Sequence, residues 1–201
     1  MEKLLTAILF AFLAAACNQV PDPALVAHDT KFSGVGEAPY ACVLDKLTGL
    51  YWEVKSDQPG LHDWRNTYTW FDPDGDHGEL DYRGTENGGV CVGSLCDTAH
   101  YAEAVNETGF CGFSDWRVPA KNELYSISDL RRHENPPTIN TRFFPNTQSG
   151  EYWSVNDYSF QHNAAWGWSF EFGLDRVDWK ATPKYLRLVR GTATELPAVK
   201  E

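Results

Sequence analysis

Three carboxylates stand at alternate positions of one short loop, at Asp72, Asp74 and Asp76. A hard cation such as Ca²⁺ prefers oxygen-rich turning segments of this type. The loop is not an EF-hand, because with Asp72 as the first ligand His77 replaces the required Gly and Arg83 replaces the required Glu. The sequence therefore allows a calcium loop, but we favour a solvated acidic turn that needs no cofactor.

The remaining chemically active residues do not form a recognisable catalytic motif. The histidines are scattered, without a Ser or Cys motif around them that signals nucleophilic catalysis. Asp115, Trp116 and Arg117 place a carboxylate and a guanidinium beside an indole, which is more typical of a loop held by hydrogen bonds. We therefore expect a protein that is not an enzyme.

The N-terminus carries the features of a lipoprotein export signal. Lys3 precedes an apolar run that ends in small residues directly before Cys17. The run is shorter than the ~20 residues that span a bilayer. The alternative is an ordinary signal cut beside a chance cysteine. We expect residues 1–16 to be a signal peptide and Cys17 to carry the lipid that attaches the protein to a membrane.

The residue after Cys17 bears on location. It is Asn18, where retention in the inner membrane would favour Asp. We therefore expect an outer membrane lipoprotein of a Gram-negative bacterium, with its domain in the periplasm or at the cell surface.

Four further cysteines, an even number in an oxidising compartment, predict two disulfides. Three pairings can be drawn. We favour Cys91 with Cys96, which closes a small loop, and Cys42 with Cys111, which ties the start of the domain to its middle. A zinc site would need more His or Cys ligands at close spacing.

The chain is acidic, with 28 Asp and Glu against 17 Lys and Arg and a formal net charge of −11. A protein that binds phosphate backbones concentrates Lys and Arg on one face, so we expect no nucleic-acid partner. Contact with a polyanion would have to use the basic strip near Lys180, Lys184 and Arg187.

Composition divides the mature chain into three parts. Residues 17–38 mix Pro, Gly, Asp and Ala without apolar periodicity and are predicted to be a flexible tether. Residues 39–191 contain most of the aromatic residues and are predicted to be one folded domain. Residues 192–201 have no aromatic residue and no period, which predicts a disordered tail.

Local signals predict strands at 42–45 and 50–54 joined by a turn at Gly49. A helix is expected after a cap at Asp97 or Thr98, ending at Gly109. A second helix is expected after Pro119, with Leu124, Ile127 and Leu130 on one face, and three strands at 151–155, 165–172 and 185–190. These short antiparallel strands and two short helices indicate an α+β fold.

The strand at 165–172 alternates aromatic with small or polar residues. Trp166, Trp168, Phe170 and Phe172 would share one face, which we expect to be core. The loops beside it, 156–163 and 174–179, present aromatic rings and carboxylates of the kind that lectin-like sites use for sugar C–H groups and hydroxyls. The candidate ligand-binding residues there are Tyr158, His162, Asp175, Asp178 and Trp179.

Seven short motifs in a fixed order resemble the Lcl C-terminal domain family (Legionella collagen-like protein C-terminal domain). They occupy residues 48–53, 87–91, 96–98, 112–119, 144–147, 152–154 and 185–191. The most specific are Gly-Phe-Ser-Asp-Trp-Arg-Val-Pro, which begins at Gly112, and the Arg-Leu-Val-Arg-Gly that ends at Gly191.

The resemblance implies a compact C-type-lectin-like domain on an exported protein, with a role in adhesion or in binding a glycan or an envelope protein. Its fold is similar to that of the formylglycine-generating, sulfatase-modifying enzymes, although fold alone says little about activity. Cys91 and Cys96 have the spacing of the active cysteines of those enzymes, but they precede the first helix rather than lying near the C-terminus. An enzyme of that type and a purely structural envelope protein are the alternatives.

One position departs from the family pattern. The family commonly has Thr or Ser at Ala120, which with Glu123 would form a capping box at the second helix. Without the hydroxyl we expect this helix to fray at a cost of ~1 kcal/mol.

Overall fold

The computed structural model describes residues 30–75 and 82–196, which form a small α+β fold with two antiparallel sheets and two disulfides. The predicted signal peptide 1–16, the lipidated Cys17 and Asp76 lie outside these residues. None of the helices within the described ranges has the length and apolar character needed to cross a membrane.

Two sheets and two helices build the domain. The first sheet has the strand order β1-β2-β3-β7 and the second the order β4-β5-β6. The elements are β1 (Phe32–Val35), β2 (Cys42–Asp45), β3 (Tyr51–Glu53), α1 (Thr98–Glu107), α2 (Lys121–Ser126), β4 (Glu151–Asp157), β5 (Ala164–Ser169), β6 (Leu174–Trp179) and β7 (Val189–Arg190).

The first predicted hairpin is confirmed as β2 and β3. Gly49 turns the chain with a φ of +76°, and its N–H donates to the carbonyl of Asp45 at 2.8 Å. The structure differs just before this hairpin, because β1 lies within the segment predicted as a tether and pairs with β2. Phe32 anchors it, with its ring 5.2 Å from that of Phe144. A lone buried aromatic residue in a Pro- and Gly-rich segment gives no periodicity to detect.

Helix α1 begins and ends where predicted. A side-chain oxygen of Asp97 accepts the N–H groups of Ala99 and His100 at 3.1 and 3.0 Å. Beyond the last turn, Gly109 adopts a φ of +63°. The helix packs with Tyr101 and Val105 fully buried.

Helix α2 is shorter than predicted. It ends at Ser126, and Leu130, which was expected on its apolar face, lies in a separate 3-10 turn and is 43 % exposed. The hydroxyls of Ser126 and Ser128 donate to the carbonyls of Glu123 and Leu124 at 2.7 and 3.1 Å. These bonds satisfy carbonyls that a further helical turn would otherwise use.

The start of α2 has half of a capping box. The N–H of Ala120 donates to Glu123 Oε2 at 2.7 Å, but Ala120 has no oxygen to accept the N–H of Glu123 in return. Ala120→Thr is therefore expected to raise the free energy of unfolding by ~1 kcal/mol and to raise the melting temperature. Ala120→Val adds the same bulk without the hydroxyl and is the control. An unchanged or lowered melting temperature for Ala120→Thr would reject the prediction.

Both predicted disulfides are confirmed. Cys42 in β2 is joined to Cys111, which follows α1, across a sequence separation of 69 and a Cα–Cα distance of 6.6 Å. Cys91 and Cys96 close a loop with a separation of 5 and a Cα–Cα distance of 5.5 Å. The first bond ties the first sheet to the segment beyond α1.

The aromatic strand is core only in its middle. Trp168 and Phe170 are buried, whereas Trp166 is half-buried and Phe172 is 56 % exposed. Strand β5 ends at Ser169, so Phe172 lies in the turn to β6 rather than on the sheet.

The last two expected segments also differ from the structure. Of the strand predicted at 185–190, only Val189–Arg190 pairs as β7. The predicted tail begins in contact with the domain, because the N–H of Thr194 donates to the carbonyl of Thr48 at 2.9 Å and Leu196 packs on the core.

Candidate functional site

Three of the predicted ligand-binding residues lie on one face of the second sheet, namely Tyr158, Asp175 and Trp179. The register pairs Trp166 with Val177 and Ala164 with Trp179, and directly paired residues of an antiparallel sheet project from the same face. The ring of Tyr158 meets that of Trp166 edge-on at 5.3 Å. We call Tyr158, Phe160, Trp166, Val177 and Trp179 the aromatic face.

The aromatic face is exposed because helix α2 covers only one end of the sheet. Trp168, on the same strand, is buried with its ring 5.5 Å from that of Tyr125 in α2. Beyond the helix Val177 is 38 % exposed, Trp179 49 % and Phe160 86 %. Exposed rings in neighbouring positions make this face a candidate interaction surface.

Charged groups border the aromatic face. The ammonium of Lys121 lies 4.0 Å from the ring centroid of Trp166 and 3.2 Å from Asp175 Oδ2. Asn156 holds the backbone of Lys121, accepting its N–H at 2.8 Å. Both charged side chains keep part of their surface in solvent, at 25 % and 31 %. They can therefore donate to and accept from a bound hydroxyl group.

The other two predicted residues lie elsewhere. Asp178 is on the opposite face of β6, where its Oδ2 lies 2.8 Å from the ammonium of Lys184. Burial works against the ionised form, but the hydrogen bond from Lys184 lowers the pKa of the Asp178 carboxyl overall. His162 packs against the ring of Tyr82 at 4.2 Å. The five predicted residues therefore do not form a single site.

The basic strip predicted for polyanions is absent from the surface. Lys180, Lys184 and Arg187 are 1 %, 7 % and 0 % exposed. Lys180 lies 2.9 Å from Asp157 Oδ1, and Lys184 pairs with Asp178. These cations interact with groups inside the protein, because a buried charge requires a partner. They are therefore not available to a polyanion at the surface.

The acidic loop is described only in part. Asp72 Oδ1 accepts the N–H of Asp74 at 3.1 Å, as in a common polar turn, and Asp76 lies outside the described residues. In the part of the chain that the structure describes, His, Cys, Asp and Glu side chains form no group of three that could hold a metal ion. The Ca²⁺ site stays an untested prediction.

The Asp-Trp-Arg segment is bonded to two elements of the fold. Arg190 Nε and Nη2 each donate to Asp115 at 2.9 Å, and Arg117 donates to Glu123 at 2.8 and 2.6 Å. Trp116 is buried. The hydrogen bond from Arg190 lowers the pKa of the Asp115 carboxyl. The contacts fix this loop against β7 and α2.

A cavity of about 560 Å³, which the sequence does not predict, lies beside the first sheet. Its lining comes from five separate parts of the chain and includes Tyr40, Val54, Lys55, His62, Phe110 and Phe143. No local motif predicts a cavity assembled from such distant segments. A largely apolar cavity with a few polar groups is a standard form of ligand site.

A buried charge cluster lies beneath the cavity. Glu53 is fully buried, and its Oε1 accepts from Lys55 Nζ at 2.9 Å, from His62 Nδ1 at 2.8 Å and from the hydroxyl of Tyr101. Its Oε2 accepts the N–H of Leu188 at 2.9 Å. The carboxylate therefore has four donors.

Burial and pairing oppose each other in this cluster. Burial raises the pKa of Glu53, but Lys55 and the hydrogen bond from His62 outweigh it and hold that pKa well below its usual range. Burial lowers the pKa of Lys55, and the charge of Glu53 offsets this in part. Burial and the adjacent Glu53 charge raise the pKa of Tyr101. Glu53 is therefore ionised and acts only as an acceptor.

Comparison with known proteins gives one family. No curated protein sequence matches this chain. The model of the Lcl C-terminal domain matches residues 41–190, which include both sheets except β1, both helices and both disulfides. The chain belongs to the Lcl C-terminal domain family.

Proposed function

We propose that this domain is a non-enzymatic carbohydrate-binding module of the cell envelope, with a C-type-lectin-like role, and that the aromatic face is its binding surface. The observation that carries the proposal is the set of exposed rings around Trp166 beside the ion pair of Lys121 and Asp175. Sugar rings stack their C–H groups on aromatic side chains, while carboxylates and ammonium groups bind hydroxyls. Family membership favours an adhesion-like domain.

The charge of the chain narrows the class of glycan. The formal net charge is −11, and the three cations of the predicted basic strip, Lys180, Lys184 and Arg187, are buried in the domain. A sulfated or sialylated glycan would therefore be repelled at long range. We propose that the ligand is a neutral oligosaccharide.

The alternative of a sulfatase-modifying enzyme needs a reactive thiol at Cys91 or Cys96. These two cysteines are bonded to each other. A thiolate, and not a disulfide, is the nucleophile in cysteine chemistry, so this bond favours a structural role.

A glycan array probed with the full chain tests the proposal. We expect neutral oligosaccharides to bind and sulfated ones not to bind. Trp179→Ala and Tyr158→Ala should each weaken binding at least tenfold, because each removes a ring of the aromatic face that stacks on the sugar; Trp179 is exposed and Tyr158 is half-buried. Phe172→Ala removes an equally exposed ring outside the aromatic face and should leave binding unchanged. Binding of sulfated glycans alone, or equal binding by all three variants, would contradict the proposal.

We further propose that a lipid on Cys17 attaches the domain to the outer membrane. Support comes from the sequence alone, because residue 17 is outside the described ranges. The intact mass of protein purified from membranes should show a diacylated or triacylated N-terminal cysteine, and an unmodified residue at that position would rule the anchor out.

A further inference from the structure

We propose that the cavity beside the first sheet binds a small aromatic molecule that carries one hydroxyl or N–H group, and that this group donates to Nε2 of His62. The cavity lies apart from the aromatic face, so the proposal is independent of the carbohydrate site. It rests on the cavity walls, on the state of the polar groups that line it and on the way His62 is held.

The walls of the cavity suit a flat apolar body. Tyr40, Phe110 and Phe143 contribute rings, and Val54 and Pro145 contribute aliphatic surface. The volume of about 560 Å³ falls in the range that holds drug-sized ligands. A molecule with two fused rings would fit and would bury its apolar surface.

Most polar groups in the lining already have partners. The backbone N–H of Gln58 donates to Ser56 Oγ at 2.9 Å, and its side-chain amide donates to Asp57 Oδ1 at 2.8 Å. The amide of Asn146 donates to the carbonyl of Lys55 at 2.8 Å. A sugar in this cavity would leave several hydroxyls without partners, each at a cost in free energy.

His62 differs because one of its nitrogens is held and the other is not. Nδ1 lies 2.8 Å from the carboxylate of Glu53, which can only accept, so a hydrogen of the imidazole is assigned to Nδ1. With that hydrogen on Nδ1, Nε2 of the neutral ring is free to accept, and it has no partner among the described residues. The ring stacks on Phe110 with centroids 4.0 Å apart, which fixes its orientation.

These features together define the ligand chemistry. An acceptor on a fixed ring selects a donor, and the apolar walls select an aromatic body. An apolar ligand without a donor would leave Nε2 cut off from water, and the loss of one hydrogen bond of this kind is worth roughly a tenfold change in affinity.

The test compares two probes that share the same fused rings, only one of which has a donor. 2-Naphthol has a hydroxyl, and 2-methoxynaphthalene has the same rings without it. Each probe is titrated calorimetrically into the full chain in detergent. The heat of titrating the same probe into detergent alone is subtracted. We expect 2-naphthol to bind at least tenfold more tightly. Equal affinities, or no binding of either probe, would overturn the proposal.

Two variants locate the site. His62→Phe keeps a ring against Phe110 but removes the acceptor, and it should make the two affinities equal. His133→Phe, at an exposed histidine outside the cavity, is the matched control and should retain the difference. Ala41→Trp fills the cavity and should abolish binding of both probes. A preference for 2-naphthol that survives His62→Phe, or binding that survives Ala41→Trp, would overturn the proposal.

A measurement on the unaltered chain covers the case in which His62→Phe does not fold. The ¹⁵N chemical shift of His62 Nε2 should move when 2-naphthol is added and stay in place with 2-methoxynaphthalene. A ¹⁵N chemical shift that stays unchanged when 2-naphthol is added would exclude the proposed hydrogen bond.

Discussion

Replacing Glu53 with glutamine is expected to lower the free energy of unfolding by about 3–5 kcal/mol, as measured by urea denaturation. The variant leaves the ammonium of Lys55, which is 4 % exposed, without its counter-charge. It also weakens the acceptor for His62 Nδ1 and for the Tyr101 hydroxyl. Removing one partner of a buried ion pair costs far more than the pair contributes, because the remaining charge stays out of water.

The pH dependence of the same two proteins gives a second measurement. The folded pKa of Glu53 lies below the ordinary value of 4.5. Its contribution to stability is therefore fully present above that pH and is lost as pH falls from 4.5 towards the folded pKa. Glu53→Gln should flatten this acid limb of the stability curve.

A matched control separates this effect from the loss of any surface charge. Glu103→Gln makes the same change at an exposed position of α1 and should alter the free energy of unfolding by less than about 0.5 kcal/mol. A loss below about 1 kcal/mol for Glu53→Gln would contradict the buried cluster.

The cluster shows which part of the structure local sequence could not predict. Glu53 meets Tyr101 and Leu188 across sequence separations of 48 and 135. Nothing near Glu53 in the chain distinguishes it from a solvated acid at a strand end. The same holds for Lys184 and Arg187, whose charge suggested a surface strip although both are buried. Burial of a charged residue depends on partners that only the tertiary fold supplies.

Elements with a local physical cause were predicted well. Gly49 at the hairpin turn and Asp97 and Gly109 at the ends of α1 each act on neighbouring backbone groups, so they can be recognised without the fold. The length of α2 was predicted wrongly because Leu130 has the spacing of a helix face. The hydroxyl of Ser126 donates to the carbonyl of Glu123, and the N–H of Asp129 donates to the distant carbonyl of Thr138 at 2.8 Å, so the helix ends before Leu130.

The candidate sugar site lies between these cases. Tyr158 and Trp179 were predicted as neighbours of the aromatic strand, and the register places them on the face of Trp166. The sequence could not show that Asp175 and Asp178 lie on opposite sides of the sheet with only Asp175 on the aromatic side. Alternation along β6 gives two faces, but only the pairing with β5 shows which of them carries Trp166.

Removing the disulfide between Cys42 and Cys111 is the other change with a large expected effect. In the double variant Cys42→Ser, Cys111→Ser the loop of 69 residues is no longer closed in the unfolded chain. The chain-entropy model then predicts a loss of roughly 4 kcal/mol in the free energy of unfolding. Cys42 is also fully buried in the core beside Tyr68 and Trp116, so a serine hydroxyl there adds a cost.

The second disulfide provides the matched comparison. Cys91→Ser, Cys96→Ser opens a loop with a sequence separation of only 5, for which the same model predicts a loss of about 2 kcal/mol. Urea denaturation of the two double variants should therefore give midpoints in a fixed order, with the Cys42 and Cys111 variant the less stable. The reverse order would contradict the prediction, because a bond that closes the longer loop restricts the unfolded chain more.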